Sequence, residues 1–223
     1  MSDPENILNA AISSKTLVLE GLSFQRNEDF LFSNINIDLM SGDILQVLGQ
    51  NGSGKTTLLR LISTALNPYS GKIMWQGKNI DKNREDYLEN ILYIGHQPSL
   101  KRLLSAKENL TWWRRLNKTN SKDNSEVLRQ VGLIKYADEP CFLLSAGQLR
   151  RAALARLYIS NAKIWILDEP FTSIDKDFSS KLISLFTKHL ESKGIVILTT
   201  HQDLKVKNMK FLSMSARSKI NNE

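Results

Sequence analysis

The sequence predicts an α/β domain built on a parallel core sheet, and three features of the chain support this prediction. Residues 44–62 run from a short apolar strand pattern through a glycine-rich loop into a helix with periodic leucines. Residues 164–169 and 195–201 are mostly apolar, as strands are when both faces of a parallel sheet are covered. Residues 105–137 are helix-like and contain few strand signals. We therefore expect a helical insertion within an α/β core.

The length and composition are typical of an ordinary globular domain. With 223 residues, 41% hydrophobic and 24% charged, the chain can bury one core. No apolar run reaches the roughly 18 residues needed to cross a bilayer, and the acidic N-terminus lacks the apolar core of a secretory signal. The single cysteine, Cys141, excludes an internal disulfide and suits a reducing cytosol. We expect its side chain to be a small buried hydrophobe.

The positive charge of the chain leaves two classes of anionic partner open. A net charge of +7 is compatible with binding to nucleic acid or to an anionic membrane surface. The basic residues are scattered, however, so we interpret most of them as parts of solvated faces. The sequence shows no internal repeat and no low-complexity tract.

The glycine-rich loop matches the pattern G-x-x-x-x-G-K-[ST] in full, between a strand pattern and a helix pattern, as a P-loop requires. Glycines let backbone N–H groups turn towards a phosphate, and the helix N-terminus adds partial positive charge. Lys55 can reach the β- and γ-phosphates, and the Thr56 hydroxyl can hold Mg²⁺. We expect nucleotide binding by the loop and the first helical residues: Gly49, Gln50, Asn51, Gly52, Ser53, Gly54, Lys55, Thr56 and Thr57.

The segments that flank the P-loop predict an antiparallel β-layer. Residues 16–24 and 35–39 have strand patterns separated by a polar turn at residues 25–29. After the P-loop helix, the turn at residues 67–71 leads into a short strand at residues 72–75.

The predicted helical insertion spans about residues 98–162. Its two periodic segments within residues 105–137 are separated by a polar break at residues 117–124. Because the adjacent residues Trp112 and Trp113 cannot share one helix face, we expect one in the core and the other exposed for a partner.

The second half of the chain alternates helices and strands. Ser145 and Gln148 have the spacing of a capping box at the start of a strong helix. Residues 179–190 predict a helix, and residues 210–214 an edge strand.

These elements predict one domain that covers residues 1–223. We expect its catalytic core and β-layer at about residues 14–97 and 163–214, its helical subdomain at about residues 98–162, and a polar tail at residues 215–223.

Polar residues follow the predicted parallel strands at the end where ligands bind in open α/β sheets. The candidates are Gln97, Asp168, Glu169 and His201. Asp168 would bind Mg²⁺ together with Thr56, and Glu169 would orient and deprotonate a water. His201 can hydrogen-bond a γ-phosphate, and Gln97 can reach the metal or the water. Together with the P-loop, these residues predict hydrolysis of the β–γ bond of ATP.

These motifs together resemble the ATP-binding cassette family over about residues 16–214. Its signature resembles residues 144–148, and further matches are the P-loop, Gln97, Asp168 with Glu169, residues 172–175, and His201. The resemblance implies a P-loop NTPase fold with a RecA-like parallel core sheet, an antiparallel β-layer and a helical subdomain. It also implies Mg²⁺, and a head-to-tail, ATP-dependent homodimer in which Ser145 and Gly147 face the ATP on the other subunit's P-loop. Gln148 and Asp175 are the other nucleotide-binding positions that it implies.

A narrower resemblance is to the ATP-binding subunit of the cytochrome c maturation haem-export complex. Similar segments are residues 75–77, 94–98, 108–110, 144–151, 165–175 and 194–202. This resemblance implies an ATPase at the cytoplasmic face of the inner membrane, where it joins a separate multi-span subunit and haem-handling maturation proteins. It implies no nucleic-acid partner.

The sequence departs from the wider family at the signature. Ala146 stands where the wider superfamily usually has glycine, although the haem-export branch resembles this sequence at that position. Leu149 replaces a residue that is usually polar. For the aromatic residue that stacks on adenine we choose Phe24, with the Arg26 guanidinium as the alternative.

Two alternative functions remain. One is the ATPase subunit of a transporter for another cargo, and the other is a soluble ATPase acting on nucleic acid or the ribosome. Proteins of the second kind usually carry two cassettes or coiled-coil inserts, whereas this chain has one cassette and no heptad run.

Overall fold

A computed structural model describes residues 15–119, 123–204, 206–207 and 209–215. The predicted loose end at residues 1–13 and the tail beyond residue 215 lie outside these ranges. The described strands are β1 (Lys15–Arg26), β2 (Asp29–Met40), β3 (Ile44–Gly49), β4 (Ser70–Trp75), β5 (Lys78–Asn79), β6 (Ile91–Ile94), β7 (Ile164–Asp168), β8 (Ile195–Thr199) and β9 (Met209–Met214). The described α-helices are α1 (Lys55–Ile62), α2 (Arg84–Glu89), α3 (Ala106–Leu116), α4 (Asn124–Gln130), α5 (Ala146–Leu154) and α6 (Lys176–Glu191).

The predicted antiparallel layer is confirmed as a four-stranded sheet in the order β2-β1-β4-β5. Its first two strands are longer than the sequence pattern indicated, because pairing continues to Arg26 and Asp29. The predicted five-residue turn is therefore reduced to Asn27 and Glu28, with φ angles of 48° and 70°. A tight hairpin connection of this kind requires positive φ at its central residues.

The parallel core sheet is also confirmed, in the order β6-β7-β8-β3-β9. Every pairing in it is parallel, and the last strand lies at an edge beside β3, as predicted. All residues of β7 and β8 are buried, because hydrophobic side chains cover both faces of the sheet.

The core lies in two layers separated by the parallel sheet. Ile164 and Ile166 pack with α1 and the antiparallel layer. The alternate residues Trp165 and Leu167 pack on the other side with α6 and the helical insertion. This division follows from the two-residue period of a strand, and it leaves the strand ends free to form a site.

The helical insertion contains three described α-helices: α3 and α4 lie on either side of the predicted polar break, and α5 follows after shorter turns. Trp113 packs against the core, whereas Trp112 is 43% exposed with the Lys101 ammonium 4.4 Å from its ring centroid. The structure thus confirms that one tryptophan packs in the core and the other is exposed. In the described part of the chain, no helix is long and apolar enough to cross a membrane.

His189 stacks on the strand residue Trp165 with its imidazole in the neutral form. Its ring lies parallel to Trp165 with 3.7 Å between centroids, and Gly194 packs so closely that a Cβ there would lie 2.2 Å from Nε2. Burial disfavours the charged imidazolium and lowers the pKa of His189 to about 4. The folded chain therefore resists protonation at a position that the unfolded chain protonates readily.

We expect this histidine to make the fold acid-sensitive between the unfolded pKa of 6.5 and the folded pKa of about 4. As pH falls through this window the unfolded state binds the proton first, so stability is lost on acidification. His189→Phe keeps a flat ring against Trp165 and removes the titration. In urea unfolding, wild type should lose about 2 kcal/mol more than the variant between pH 7.5 and pH 5. Equal losses in the two proteins would contradict the assignment.

Candidate functional site

One cleft of about 510 Å³ collects half of the predicted functional residues at the carboxyl ends of the parallel strands. Groups from the glycine loop, from the end of β7 and from the segment after β8 line it. The lining residues are Arg26, Leu31, Asn51, Gly52, Gly54, Lys55, Thr56, Thr57, His96, Asp168, Glu169, Thr172 and His201. The structure therefore brings Asp168, Glu169 and His201 to the P-loop, as the positions of these residues at strand ends predicted.

The backbone of the loop shows why glycine is required at two of its positions. Gly49 has a φ of 151°, and a Cβ there would lie 2.4 Å from the Met214 carbonyl oxygen and 2.5 Å from the Ser53 hydroxyl. Gly54 caps α1 with a φ of 97°, and a Cβ there would lie 3.0 Å from the side chains of Leu31 and Phe32. These glycines let the loop pack tightly while its backbone curves around the cleft.

The positive groups of the cleft suit a polyphosphate. The Lys55 ammonium donates to the carbonyl oxygens of Gly49 at 2.7 Å and Gln50 at 3.0 Å, which holds it across the loop. The first turn of α1 contains no acidic residue, and the cap Gly54 has no side chain to occupy the helix N-terminus. Free amides and a helix dipole at this point favour an anion.

Asp168 is the centre of a hydrogen-bonded chain that joins three segments. Its carboxylate accepts hydrogen bonds from the hydroxyls of Thr56 at 2.8 Å and Thr199 at 2.7 Å. Asp168 is 2% exposed, so these two donors replace the water that an ionised carboxylate would otherwise bind. The P-loop helix, β7 and β8 are therefore tied together at their functional ends.

The donor set at Thr56 and Asp168 fits Mg²⁺. A hydroxyl and a carboxylate are hard oxygen ligands, and they lie within 2.8 Å of each other in the cleft. Among the described residues, no group of three His, Cys, Asp or Glu side chains could form a complete protein cage. Mg²⁺ does not need such a cage, since it usually keeps several waters and takes further ligands from phosphates.

Glu169 is held in an uncommon backbone conformation directly after the metal-site aspartate. Its φ is 52°, and its N–H donates to the Thr199 hydroxyl at 2.9 Å. Its carboxylate lies 3.5 Å from His201 Nε2, and its side chain is 18% exposed against 70% for that of His201. Backbone strain of this kind persists where the surroundings over-determine a residue, and it concentrates at functional sites.

Several predicted site residues lie outside this cleft. Gln97 is exposed, and it is the preceding residue His96 that lines the cleft. Phe24 packs beside Phe32 against the core with a centroid distance of 6.3 Å, whereas the alternative residue Arg26 lines the cleft. The choice of Phe24 over Arg26 therefore has no support from the cleft geometry, because the inner face of the hairpin is used for core packing.

The signature segment also lies away from the P-loop of its own chain. Ser145 and Gln148 form the predicted capping box at the start of α5. A Cβ on Gly147 would lie 2.5 Å from the Ser173 carbonyl oxygen, so this glycine allows the helix to contact the loop after β7. Asp175 ends that loop and caps α6 by accepting a hydrogen bond from the Phe178 N–H. This hydrogen bond lowers the pKa of Asp175; desolvation acts in the opposite direction, and the nearby Arg151 lowers the pKa further.

The sequence patterns did not indicate three residues that hold the site residues in place without lining the cleft. Thr199 bonds both Asp168 and Glu169, and Gln46 donates to the carbonyls of Thr200 and Gln202 on either side of His201. Arg150, 3% exposed, donates to the Asp168 carbonyl. The position of Thr199 at the end of an apolar run was a usable signal. Nothing in the sequence marked the other two, because their partners are backbone atoms distant in the chain.

We expect Thr199→Val to impair turnover more than nucleotide binding. The change is nearly isosteric, but it removes the hydroxyl that serves both the Asp168 carboxylate and the Glu169 N–H. Leaving one Asp168 carboxylate oxygen and the Glu169 N–H without this partner should lower kcat about 10- to 100-fold. Steady-state ATPase assays test this expectation, with Thr187→Val on the exposed face of α6 as the matched control. Unchanged kcat in Thr199→Val would contradict the role given to this hydroxyl.

Comparison with known proteins agrees with this geometry. The ABC transporter family model matches residues 32–172. The cytochrome c biogenesis ATP-binding export protein CcmA of Histophilus somni is 47% identical over 190 residues, which cover 84% of this chain and 88% of that protein.

Solved structures share the fold. An ABC transporter ATP-binding protein from Pyrococcus furiosus superposes with a TM-score of 0.76 at 28% identity, over 89% of this chain and 97% of that one. The ATP-binding cassette MJ0796, in a dimeric post-hydrolysis structure with ADP and Pi, gives 0.73 at 24% identity, over 83% and 88%. The predicted fold agrees with these matches. The chain therefore belongs to the ABC transporter family, as one of its ATP-binding proteins.

Proposed function

We propose that this chain is the ATP-hydrolysing subunit of a membrane ABC complex that handles haem for cytochrome c biogenesis. The observation that carries the proposal is the single cleft in which Lys55, the Thr56–Asp168 pair and Glu169 meet. The cytochrome c part of the proposal is supported by the 47% identical CcmA relative, whose length the chain nearly spans.

The chain's own groups are suited to binding and cleaving a triphosphate. Lys55 and the N-terminus of α1 attract the phosphates, while Thr56 and Asp168 would hold Mg²⁺. When bound, the ion would neutralise negative charge on the phosphates. Glu169 takes the proton of the attacking water, and His201, 3.5 Å away, steadies that carboxylate or hydrogen-bonds the γ-phosphate. Gln97 remains our candidate to reach the metal or the water from the neighbouring segment.

A second copy of the chain would complete the site. The capped start of α5 at Ser145 lies outside its own cleft and is exposed. In a head-to-tail homodimer, Ser145, Gly147 and Gln148 would reach the phosphates bound by the partner, with Asp175 in the adjacent loop. The MJ0796 cassette is a structural neighbour that is itself dimeric. ATP binding would close such a dimer, and hydrolysis would let it open.

The membrane partner would be contacted through the helical insertion. Its surface exposes large apolar side chains, with Leu103 at 83%, Leu116 at 60% and Trp112 at 43% exposure. We take these side chains as the candidate anchors for that contact. We place the chain at the cytoplasmic face of the inner membrane as a peripheral subunit, attached to a multi-span subunit and near haem-handling maturation proteins.

Glu169→Gln should separate nucleotide binding from cleavage. The amide keeps the size of the side chain but cannot accept the proton of water, so we expect kcat to fall at least about 100-fold while ATP still binds. With ATP and Mg²⁺ this variant should run as a dimer in size-exclusion chromatography with light scattering. Glu191→Gln, at the exposed end of α6, is the matched control. Near-normal turnover would remove Glu169 from the base role, and a monomer at saturating nucleotide would overturn the dimer.

Capture of partners from solubilised membranes tests the cellular role. We expect the tagged chain to recover a multi-span subunit together with haem-handling proteins. Leu103→Glu, in the exposed segment before α3, should lower this recovery about tenfold without lowering basal ATPase activity.

Tyr69→Glu, at a position 62% exposed beside the antiparallel layer, is the control and should leave recovery unchanged. Equal loss in both variants would contradict a docking role for the insertion. Recovery of a multi-span subunit without haem-handling proteins would favour another cargo, and recovery of ribosomes would favour a soluble ATPase.

A further inference from the structure

Arg150 is a buried cation that the catalytic scheme above does not use. It lies in the second turn of α5, is 3% exposed, and takes part in none of the ion pairs found among the described residues. Burying a guanidinium without a carboxylate partner is costly, and an apolar side chain of similar volume would be a cheaper core residue. Its position therefore calls for an explanation in terms of what it binds.

The partners of Arg150 are backbone carbonyls on two separate strand ends. Nη2 donates to the Asp168 carbonyl oxygen at 2.6 Å, and Nη1 donates to the Gly95 carbonyl oxygen at 2.7 Å, with a longer contact of 3.4 Å to that of His96. One planar group on α5 thus joins the end of β7 to the segment that leads to Gln97. A guanidinium suits this task because its donors form a rigid fork.

The bond to the Asp168 carbonyl has a specific consequence for Glu169. That carbonyl belongs to the peptide group whose N–H is the Glu169 N–H, which donates to the Thr199 hydroxyl at 2.9 Å. The plane of this peptide is therefore held from both sides, by Arg150 at oxygen and by Thr199 at nitrogen. Glu169, which follows this restrained plane, has a φ of 52°, which is uncommon for a residue other than glycine. Without the restraint, a glutamate would relax to negative φ.

We propose that Arg150 is a positioning residue that fixes the Asp168–Glu169 peptide and thereby aims the Glu169 carboxylate into the cleft. Because the same guanidinium also donates to the carbonyls of Gly95 and His96, the direction of the Glu169 carboxylate depends on the position of residues 95–97. Movement of that segment, which continues into the exposed loop at Leu103, would be transmitted to Glu169 through two hydrogen bonds. The effect on turnover rests on the proposed base role of Glu169, whereas the effect on the peptide plane does not.

Three substitutions test the proposal. Arg150→Gln and Arg150→Met remove the fork, and Arg150→Lys keeps the charge while offering one ammonium to two carbonyls. Arg156→Gln is the control, since Arg156 lies on the following turn and donates to the Pro98 and Ala153 carbonyls but not to that of Asp168. Thermal melting of each variant identifies any loss that comes from unfolding.

We expect Arg150→Gln and Arg150→Met to keep ATP affinity within about threefold while kcat falls about 10- to 100-fold. The reason is that displacing the Glu169 carboxylate impairs its alignment with the attacking water and does not impair the binding of ATP. Arg150→Lys should recover part of kcat, and Arg156→Gln should leave it unchanged. A crystal structure of Arg150→Gln should show Glu169 at negative φ. A folded variant with Glu169 still at positive φ would overturn the proposal, whatever its activity.

The two proposals can fail separately. If Glu169→Gln cleaves ATP at a normal rate, the base role fails, and the φ of Glu169 in Arg150→Gln still decides the positioning role. If Glu169→Gln is inactive but folded Arg150→Gln keeps full kcat, the positioning role fails and the base role stands.

Discussion

The site depends on one buried carboxylate at the end of strand β7. The Asp168 carboxylate is buried, and the hydroxyls of Thr56 and Thr199 supply the hydrogen bonds that water would otherwise make to it. Each of these donors comes from a different segment, so one group sets the spacing between the phosphate loop, the metal site and the strand that leads to His201. Misplacement of any of these segments would break a hydrogen bond to the Asp168 carboxylate.

The parallel sheet makes that arrangement possible. Strands β7 and β8 are buried on both faces, so their ends are rigid and lie side by side. Residues that follow them in sequence are then carried to one edge without needing to be neighbours in the chain. The antiparallel layer contributes less chemistry but closes the cleft through Arg26 and Leu31.

Hydrogen bonds restrain the two acidic residues at that edge in different ways. The side chain of Asp168 is held directly, whereas Glu169 is held through its backbone, with hydrogen bonds at both ends of the peptide that precedes it. Among the described residues, the one ion-pair partner of its carboxylate is the exposed His201 at 3.5 Å. This division suits the roles proposed for the two residues, a metal ligand that must stay in place and a base that must exchange protons.

The sequence by itself determined the fold class, the glycine loop, the capped helix at Ser145 and the acidic pair at the end of β7. All of these are local patterns, whose residues are neighbours in the chain or repeat at the period of a helix or strand. Only the tertiary structure decided that Arg26 rather than Phe24 lines the cleft, that His96 lines it rather than Gln97, and that Arg150 and Thr199 hold one peptide between them. The reason is physical: contacts to backbone atoms carry no side-chain signature, so partners 18 and 30 residues apart in sequence become visible only when packing brings them together.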